Sequence, residues 1–181
     1  MHTRAIEEKY CESPEETAGY VFNHTMLRIK NPEVSIAFYC DIMGMQLVKK
    51  IPFEAFSFTL YFLGYLPSAD AFPKDAQERF GYAFGVSGML ELTHNWGTEI
   101  QEGPVYHDGN AQPQGFGHIG FAVPDVNAAC DRFERLGVEF IKRPNDGKMK
   151  GIAFIKDPDG YWIEIFSAAN IADVIGSVSI R

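Results

Sequence analysis

His24-Thr-Met-Leu-Arg-Ile-Lys30 and His118-Ile-Gly-Phe-Ala-Val-Pro124 are two short strand-like stretches that each begin with a histidine. Each is followed by the pattern of an amphipathic helix that ends at a glycine, Gly44 in the first case and Gly137 in the second. The histidine precedes the glycine by 20 residues in one stretch and by 19 in the other. This agreement in order and spacing predicts that the chain contains two copies of one structural unit.

Each copy also ends on a strand with one carboxylate between apolar residues, Leu90-Glu91-Leu92 and Ile163-Glu164-Ile165. Successive side chains of a strand point to opposite faces, so both glutamates and both histidines lie opposite to their aliphatic neighbours. An isolated carboxylate in an apolar strand is costly unless it is paired or binds a metal. The duplicated pattern therefore predicts a metal site with the ligands His24, Glu91, His118 and Glu164.

Nitrogen and oxygen ligands without a thiolate suit Zn²⁺, Ni²⁺, Co²⁺, Mn²⁺ or Fe²⁺. The remaining histidines are predicted not to be ligands. His94 falls on the strand face opposite to Glu91, His107 lies between the two copies, and His2 lies near the N-terminus.

The predicted fold class is α+β, with two βαβββ modules that form an incomplete barrel. A single module exposes one sheet face, so we expect two modules to lie side by side around a cleft that receives the ligands of both. The predicted divisions are an N-terminal arm over residues 1–19 and a domain over 20–181. Within that domain we place module one at about 20–100, a linker at 101–114, module two at 115–168 and a C-terminal tail at 169–181. Glu91 follows His24 by 67 residues but Glu164 follows His118 by only 46, which predicts an inserted loop near residues 67–77.

Helix signals are clear in both modules. Asn31 is the predicted N-cap of the first helix, Pro32 lies in its first turn, and Asp125 is the predicted N-cap of the second. The apolar stripes predicted to face the core are Val34, Phe38 and Ile42 in the first helix, and Val126, Ala129, Cys130, Phe133 and Leu136 in the second.

Composition excludes several classes of protein. The 181 residues are 46% hydrophobic and 14% aromatic, which is enough for a substantial core. The net charge of −8 argues against nucleic-acid binding, which needs clustered cations. Three cysteines without a CxxC motif indicate neither a disulfide framework nor a cysteine metal site. Because no signal peptide or membrane-length apolar stretch is evident, we expect a cytoplasmic protein.

From Phe22 to Phe166 the sequence resembles the glyoxalase I (lactoylglutathione lyase) family of the vicinal oxygen chelate superfamily. The specific stretches are Leu-Glu-Leu-Thr-His-Asn-Trp-Gly-Thr-Glu at 90–99, Gly-Phe-Gly-His-Ile-Gly at 115–120, Gly-Lys-Met-Lys-Gly at 147–151 and Asp-Pro-Asp-Gly-Tyr-Trp-Ile-Glu-Ile at 157–165. The insert and the long arm resemble the longer, typically zinc-dependent branch, whereas the first ligand, His24 here, is glutamine in the animal zinc enzymes and histidine in many microbial ones, so nickel is the alternative metal.

The resemblance implies an enzyme of methylglyoxal detoxification. Its substrate is the hemithioacetal of methylglyoxal and glutathione, and its product is S-D-lactoylglutathione, formed by proton transfer through an enediolate. The family's metal ligands correspond to His24, Glu91, His118 and Glu164. Glu164 corresponds to the catalytic base, and Glu91 to a residue that assists with the opposite substrate enantiomer.

The family's substrate-binding residues match Arg28, Asn95, His118, Lys148 and Met149, the last two in a lid-like basic loop. A second arginine of the family's glutathione site is replaced here by Gln114, which predicts weaker glutathione binding or preference for another thiol. In dimeric relatives the active site lies between subunits, which would here pair His24 and Glu91 with the partner subunit's His118 and Glu164. Other relatives are monomers; of the two arrangements, a homodimer is expected. The alternatives are another metal-dependent enzyme of the superfamily, such as an epimerase or a dioxygenase, and a small-molecule-binding protein of the same fold.

Overall fold

The computed structural model describes residues 6, 10–66, 68 and 72–179. Its first half contains β1 (His24–Ile29), α1 (Pro32–Ala37) with a π-helical continuation (Phe38–Ile42), β2 (Gln46–Phe53), β3 (Phe58–Gly64), α2 (Ala76–Gly85) and β4 (Met89–Asn95). Its second half contains β5 (His118–Ala122), α3 (Val126–Arg135), β6 (Phe140–Lys142), β7 (Ala153–Lys156), β8 (Trp162–Phe166) and α4 (Ile171–Ser179). Short 3₁₀ turns occupy Glu15–Thr17, Glu54–Phe56 and Thr98–Ile100.

The strands form two open four-stranded sheets with the same topology, in the orders β1-β4-β3-β2 and β5-β8-β7-β6. The first and last strand of each module pair in parallel, and the other pairs are antiparallel. Met26, two residues after His24, is opposite Glu91, and Gly120, two residues after His118, is opposite Glu164. The duplication is therefore confirmed down to the strand register, while the exact module boundaries stay a prediction.

The aliphatic faces of both sheets contribute to one hydrophobic core. Leu90 and Leu92 beside Glu91 are buried, and Ile163 and Ile165 beside Glu164 are completely buried. The predicted alternation of aliphatic and ligand residues is confirmed for both glutamate strands. Because apolar burial contributes roughly 25 cal/mol per Å², this shared core stabilises the two modules together.

Polar contacts also join the two modules. The buried Tyr39 hydroxyl, from the π-helical turn, donates a hydrogen bond to Asp157 Oδ2 at 2.8 Å. Asp159 Oδ2 accepts from Ser35 Oγ at 2.7 Å, and Asp159 Oδ1 accepts from the Lys30 backbone N–H at 2.7 Å. Burial raises the pKa of Asp157 to about 7, even though hydrogen bonds from the Tyr39 hydroxyl and the Tyr161 backbone N–H favour its ionised form.

The helix boundaries follow the predictions, but one residue of each predicted apolar stripe does not. Asn31 Oδ1 accepts from the Glu33 N–H at 2.9 Å, and Asp125 Oδ1 accepts from the Ala128 N–H at 3.0 Å, as expected of N-caps. Val34 is 52% exposed and Leu136 is 49% exposed, so neither belongs to the core.

The two exceptions have separate causes. The buried face of the first helical segment runs through Ser35, Phe38 and Tyr39 instead of through Val34, because Ser35 and Tyr39 hydrogen-bond to Asp159 and Asp157 of the second module. Leu136 is the C-terminal cap of α3, where the chain already turns toward Gly137 at φ +73°.

The insert in module one contains a helix, where the sequence predicted only a loop near residues 67–77. Residues 67 and 69–71 lie outside the described part of the chain, and α2 begins at Ala76. Asp75 Oδ1 caps this helix by accepting from the Glu78 N–H at 2.8 Å. Phe84 of α2 packs on the buried Phe62 of β3, with ring centroids 4.8 Å apart. Phe62 is opposite Glu91 in the β3–β4 pairing, so α2 covers part of the glutamate-bearing face of this sheet.

The ends of the chain are only partly described. Most of the predicted arm before residue 10 and the last two residues of the predicted tail lie outside the described range, and the tail contains α4. Among the described residues, no helix has the length and apolar character required to cross a membrane.

Candidate metal site

His24 and Glu91 form the first of two histidine–glutamate pairs. They lie on the neighbouring parallel strands β1 and β4, and His24 Nε2 is 3.1 Å from Glu91 Oε2. The Thr93 hydroxyl donates to Glu91 Oε1 at 3.1 Å. The side chains are 32% and 12% exposed, so the pair is partly shielded from water.

The His24 ring is also held from its other sides. Its Nδ1 lies 2.6 Å from Asn23 Oδ1. The ring meets Phe62 edge-on, with centroids 5.5 Å apart. Phe62 in turn contacts Phe84 of α2, so the insert helix supports the wall behind this histidine.

His118 and Glu164 form the second pair, at the corresponding positions of β5 and β8. His118 Nε2 is 3.5 Å from Glu164 Oε2, and the side chains are 43% and 23% exposed. A Cβ on Gly120 would lie 3.2 Å from the Phe166 ring and 3.8 Å from Glu164 Oε2, so glycine keeps space beside the carboxylate. Apart from His118, no described residue makes a hydrogen bond or ion pair with the Glu164 carboxylate, whereas Thr93 holds Glu91.

The chemistry and spacing of each pair fit a divalent metal. Two neighbouring ligands that each lie about 2.1 Å from one metal ion are roughly 3 Å apart when they subtend a right angle. The measured separations of 3.1 and 3.5 Å are close to this value. Imidazole and carboxylate are suitable ligands for first-row divalent metals.

The structure does not bring the four predicted ligands of one chain together. Within residues 6, 10–66, 68 and 72–179, no group of three or more His, Cys, Asp or Glu side chains is close enough to hold one metal ion. The expectation that both modules of a single chain direct their ligands into one cleft is therefore wrong. The reason is that the two sheets share a core through their aliphatic faces, while each histidine lies on an edge strand, β1 or β5.

The predicted substrate-binding residues are also divided between the two halves. Arg28 is an exposed residue of β1, two positions beyond Met26, and Asn95 ends β4, where its Nδ2 donates to the Tyr106 hydroxyl at 3.0 Å. Gln114 lies in the irregular segment before β5 and is exposed. Lys148 and Met149 are exposed in the loop between β6 and β7.

The histidines predicted not to be ligands have other partners where they are described. His94 Nε2 lies 2.7 Å from Glu99 Oε2, which also accepts from the Gly97 N–H. His107 Nδ1 accepts from the Gly109 N–H at 2.8 Å. His2 lies outside the described residues.

A cavity of about 550 Å³ lies between the edge strands of the two sheets. It is lined by Phe22, Met89 and Leu90 on one side and by His118, Gly120 and Phe121 on the other. His118 of the second pair therefore borders a space of the size of a small-molecule site.

Two supporting residues, Asn23 and Tyr106, were absent from the sequence predictions. Asn23 directly precedes His24, whereas Gly117 precedes His118. This difference between the copies could have pointed to Asn23 from the sequence alone. Tyr106 lies in the linker, and nothing in the local pattern indicates that it reaches Asn95.

The sequence model of the glyoxalase/bleomycin resistance protein/dioxygenase superfamily matches residues 21–165. A lactoylglutathione lyase of Pseudomonas aeruginosa is 50% identical over 165 residues, which cover 91% of this chain and 92% of the relative. A lactoylglutathione lyase of Pseudomonas putida is 52% identical over 149 residues, or 82% of this chain and 86% of the relative. The solved structure of the trypanothione-dependent glyoxalase I of Leishmania major matches with a TM-score of 0.64 and 28% identity, and the match covers 87% of this chain and 94% of that one.

Proposed function

The chain belongs to the glyoxalase/bleomycin resistance protein/dioxygenase superfamily, and on that premise we propose that it is a lactoylglutathione lyase. The reaction is the isomerisation of the methylglyoxal–glutathione hemithioacetal to S-D-lactoylglutathione. The observation that carries the proposal is the pair of histidine–glutamate sets at equivalent strand positions, with Nε2–Oε2 separations of 3.1 and 3.5 Å. The relatives at 50% and 52% identity carry the same activity in their names.

In this proposal His24, Glu91, His118 and Glu164 hold a divalent metal, which when bound stabilises negative charge on the substrate oxygens. Glu164 removes the proton from the carbon that carries sulfur and returns it to the adjacent carbonyl carbon. The sulfur-bearing carbon becomes the thioester carbonyl, and no external oxidant or reductant is needed. Glu164 suits this role because its carboxylate lacks the hydroxyl contact by which Thr93 restrains Glu91. Glu91 assists with the opposite enantiomer.

Arg28 and Asn95 are the proposed contacts for the carboxylates of glutathione, because both lie toward the same end of the sheet face that carries Glu91. The Tyr106 hydroxyl beside Asn95 Nδ2 restrains that amide. Lys148 and Met149 contribute from the loop between β6 and β7, and Gln114 occupies the position where the family has a second arginine.

We propose a homodimer in which each active site combines His24 and Glu91 of one subunit with the second pair of its partner. Two observations support this arrangement. The described residues of one chain contain no group of three or more potential ligands, and the histidines of both pairs lie on the edge strands β1 and β5 of their sheets.

Mixed dimers test the shared site. One parent carries His24→Ala with Glu91→Gln, and the other carries His118→Ala with Glu164→Gln, so each parent alone is inactive. After the subunits are exchanged, a mixed dimer contains one site made entirely of unaltered residues, and activity returns. If activity stays absent although mixed dimers are demonstrated by mass spectrometry, the shared site is refuted.

Zinc is the proposed metal, on the basis of the imidazole and carboxylate ligands, and the proposed setting is the cytoplasm. Cys40 and Cys130 are free thiols, in keeping with a reducing compartment. The activity test is thioester formation from methylglyoxal and glutathione, with chelated protein reloaded separately with Zn²⁺ and Ni²⁺. Activity with zinc supports both the proposed reaction and zinc as the metal. Activity with nickel alone supports the reaction but replaces zinc by nickel as the metal. Activity with trypanothione but not with glutathione would identify trypanothione as the thiol substrate. Inactivity with every thiol and metal rejects the proposed reaction.

A further inference from the structure

Asn23 distinguishes the first histidine–glutamate pair from the second. It directly precedes His24, and the residue at the equivalent place before His118 is Gly117. Its Oδ1 lies 2.6 Å from His24 Nδ1. Its Nδ2 donates to two backbone carbonyls at the C-terminal end of α2, those of Ala83 at 3.1 Å and Val86. One side chain thus joins the insert helix to a proposed metal ligand.

These contacts determine the direction of the hydrogen bond to His24. A carbonyl oxygen can only accept, so the Asn23 atom that faces Ala83 and Val86 must be the amide nitrogen. The atom that faces His24 is therefore the amide oxygen, which is also only an acceptor. His24 Nδ1 must then carry a proton, and Nε2, which faces Glu91 Oε2 at 3.1 Å, is the nitrogen left to bind a metal.

We propose that Asn23 is a positioning residue that selects the metal-binding tautomer of His24 and anchors it to the end of α2. A histidine ligand must offer an unprotonated nitrogen to the metal, and a partner on its other nitrogen selects that form. The inference rests on the proposed metal site. It adds that the insert helix, through Asn23, already orients His24 for metal binding in the metal-free protein.

In the described part of the chain, the second pair has no side chain that holds its histidine as Asn23 holds His24. Gly117 has no side chain, and within the described residues nothing hydrogen-bonds to His118 Nδ1. The His118 side chain is also the more exposed of the two histidines, at 43% against 32%. No described acceptor equivalent to Asn23 therefore holds a proton on His118 Nδ1, and His118 serves as an internal control for His24.

Two substitutions separate the role toward His24 from the role toward α2. Asn23→Ala removes both sets of hydrogen bonds. Asn23→Asp keeps an acceptor for His24 Nδ1 but cannot donate to the carbonyls of Ala83 and Val86. Both variants are expected to lose stability in urea denaturation, because both leave the end of α2 without its side-chain cap.

Zinc affinity is then measured by competition with a chromophoric chelator, which needs no substrate. Loss of an outer partner of a ligating histidine typically lowers metal affinity by about 10- to 100-fold. We expect such a loss in Asn23→Ala and near-normal affinity in Asn23→Asp. Equal losses in the two variants would assign Asn23 only to helix packing, and normal affinity in Asn23→Ala would also overturn the proposal.

Nitrogen NMR of the imidazole rings in metal-free, full-length protein provides the second readout. His24 Nδ1 is expected to carry a proton in the unaltered protein and in Asn23→Asp, and in Asn23→Ala the proton is expected to shift toward Nε2, where Glu91 can accept it. The His118 signals are expected to stay unchanged in both variants. An unprotonated His24 Nδ1 in the unaltered protein refutes the assignment. Because this measurement requires neither metal nor activity, it separates failure of this inference from failure of the proposed reaction.

Discussion

Tyr39→Phe is expected to destabilise the protein by an amount that depends on pH. The substitution removes one hydroxyl, which donates at 2.8 Å to Asp157 Oδ2 across the boundary between the modules. Both residues are buried, so water cannot easily replace the lost donor. The ring itself stays, and the change in packing is small.

The magnitude follows from the ionisation state of Asp157. Burial raises its pKa from 3.8 to about 7, so the folded protein binds a proton there that the unfolded chain releases near pH 4. The free energy of unfolding therefore falls as pH rises from about 4 to about 7. The Tyr39 hydroxyl opposes this loss, because it favours the ionised carboxylate. Its removal is expected to cost about 1 kcal/mol at pH 5.5, as for a neutral hydrogen bond, and about 1.5–3 kcal/mol at pH 8.5, as for a charged one.

Urea denaturation at the two pH values measures both costs, and Tyr65→Phe is the matched control. Tyr65 donates to the neutral backbone carbonyl of Met43 at 2.6 Å, so its loss is expected to cost the same at both pH values. A double-mutant cycle of Tyr39→Phe with Asp157→Asn isolates the interaction between the two side chains.

The outcome that would refute this reasoning is a cost for Tyr39→Phe that is equal at pH 5.5 and 8.5. It would mean that Asp157 does not change its charge in the folded protein over this range. Dependence on pH that survives in the Asp157→Asn background would assign the effect to a different carboxyl group, of which the neighbouring Asp159 is the first to test.

Three further predictions concern single side chains. Glu164→Gln is expected to lower kcat by about 10²- to 10⁴-fold, the usual contribution of a general base, with a smaller change in metal content; a near-normal kcat would remove Glu164 from that role. Gln114→Arg is expected to lower the KM for the glutathione hemithioacetal through a charge-assisted contact, and an unchanged KM would show that Gln114 is remote from the thiol. Burial raises the pKa of Cys40 and raises that of the more buried Cys130 to about 11, so at pH 8 a thiol reagent should modify Cys40 before Cys130, and equal rates measured by mass spectrometry would contradict this.

The duplication could be predicted from sequence because the alternation of side chains along a strand and the residues that begin and end a helix are local signals. Glu91 and Glu164 each have aliphatic neighbours on both sides, and the structure buries those neighbours on the opposite face. Asn31 and Asp125 act as N-caps for the same reason, since an N-cap contacts only its own helix. These features require no knowledge of distant parts of the chain.

Other features depend on contacts that the local pattern does not encode. Val34 fits an α-helical stripe, but the buried face runs through Ser35 and Tyr39, which hydrogen-bond to Asp159 and Asp157 of the other module. The insert was predicted as a loop because its polar start near residue 67 obscured the helix that begins at Ala76. The separation of the ligands into two pairs also depends on how the sheets share their core.

The core shared by both modules has a consequence for the connection between them. Residues 101–117 contain no helix or strand and are largely exposed, so a protease has ready access to this segment. A cut there breaks one covalent bond but leaves the shared aliphatic core and the Tyr39–Asp157 hydrogen bond in place. The two fragments are therefore expected to remain associated as one folded particle, and to separate only when a denaturant unfolds both. Produced individually, each half would expose its aliphatic sheet face and aggregate, so the repeats of this chain no longer behave as independent folding units.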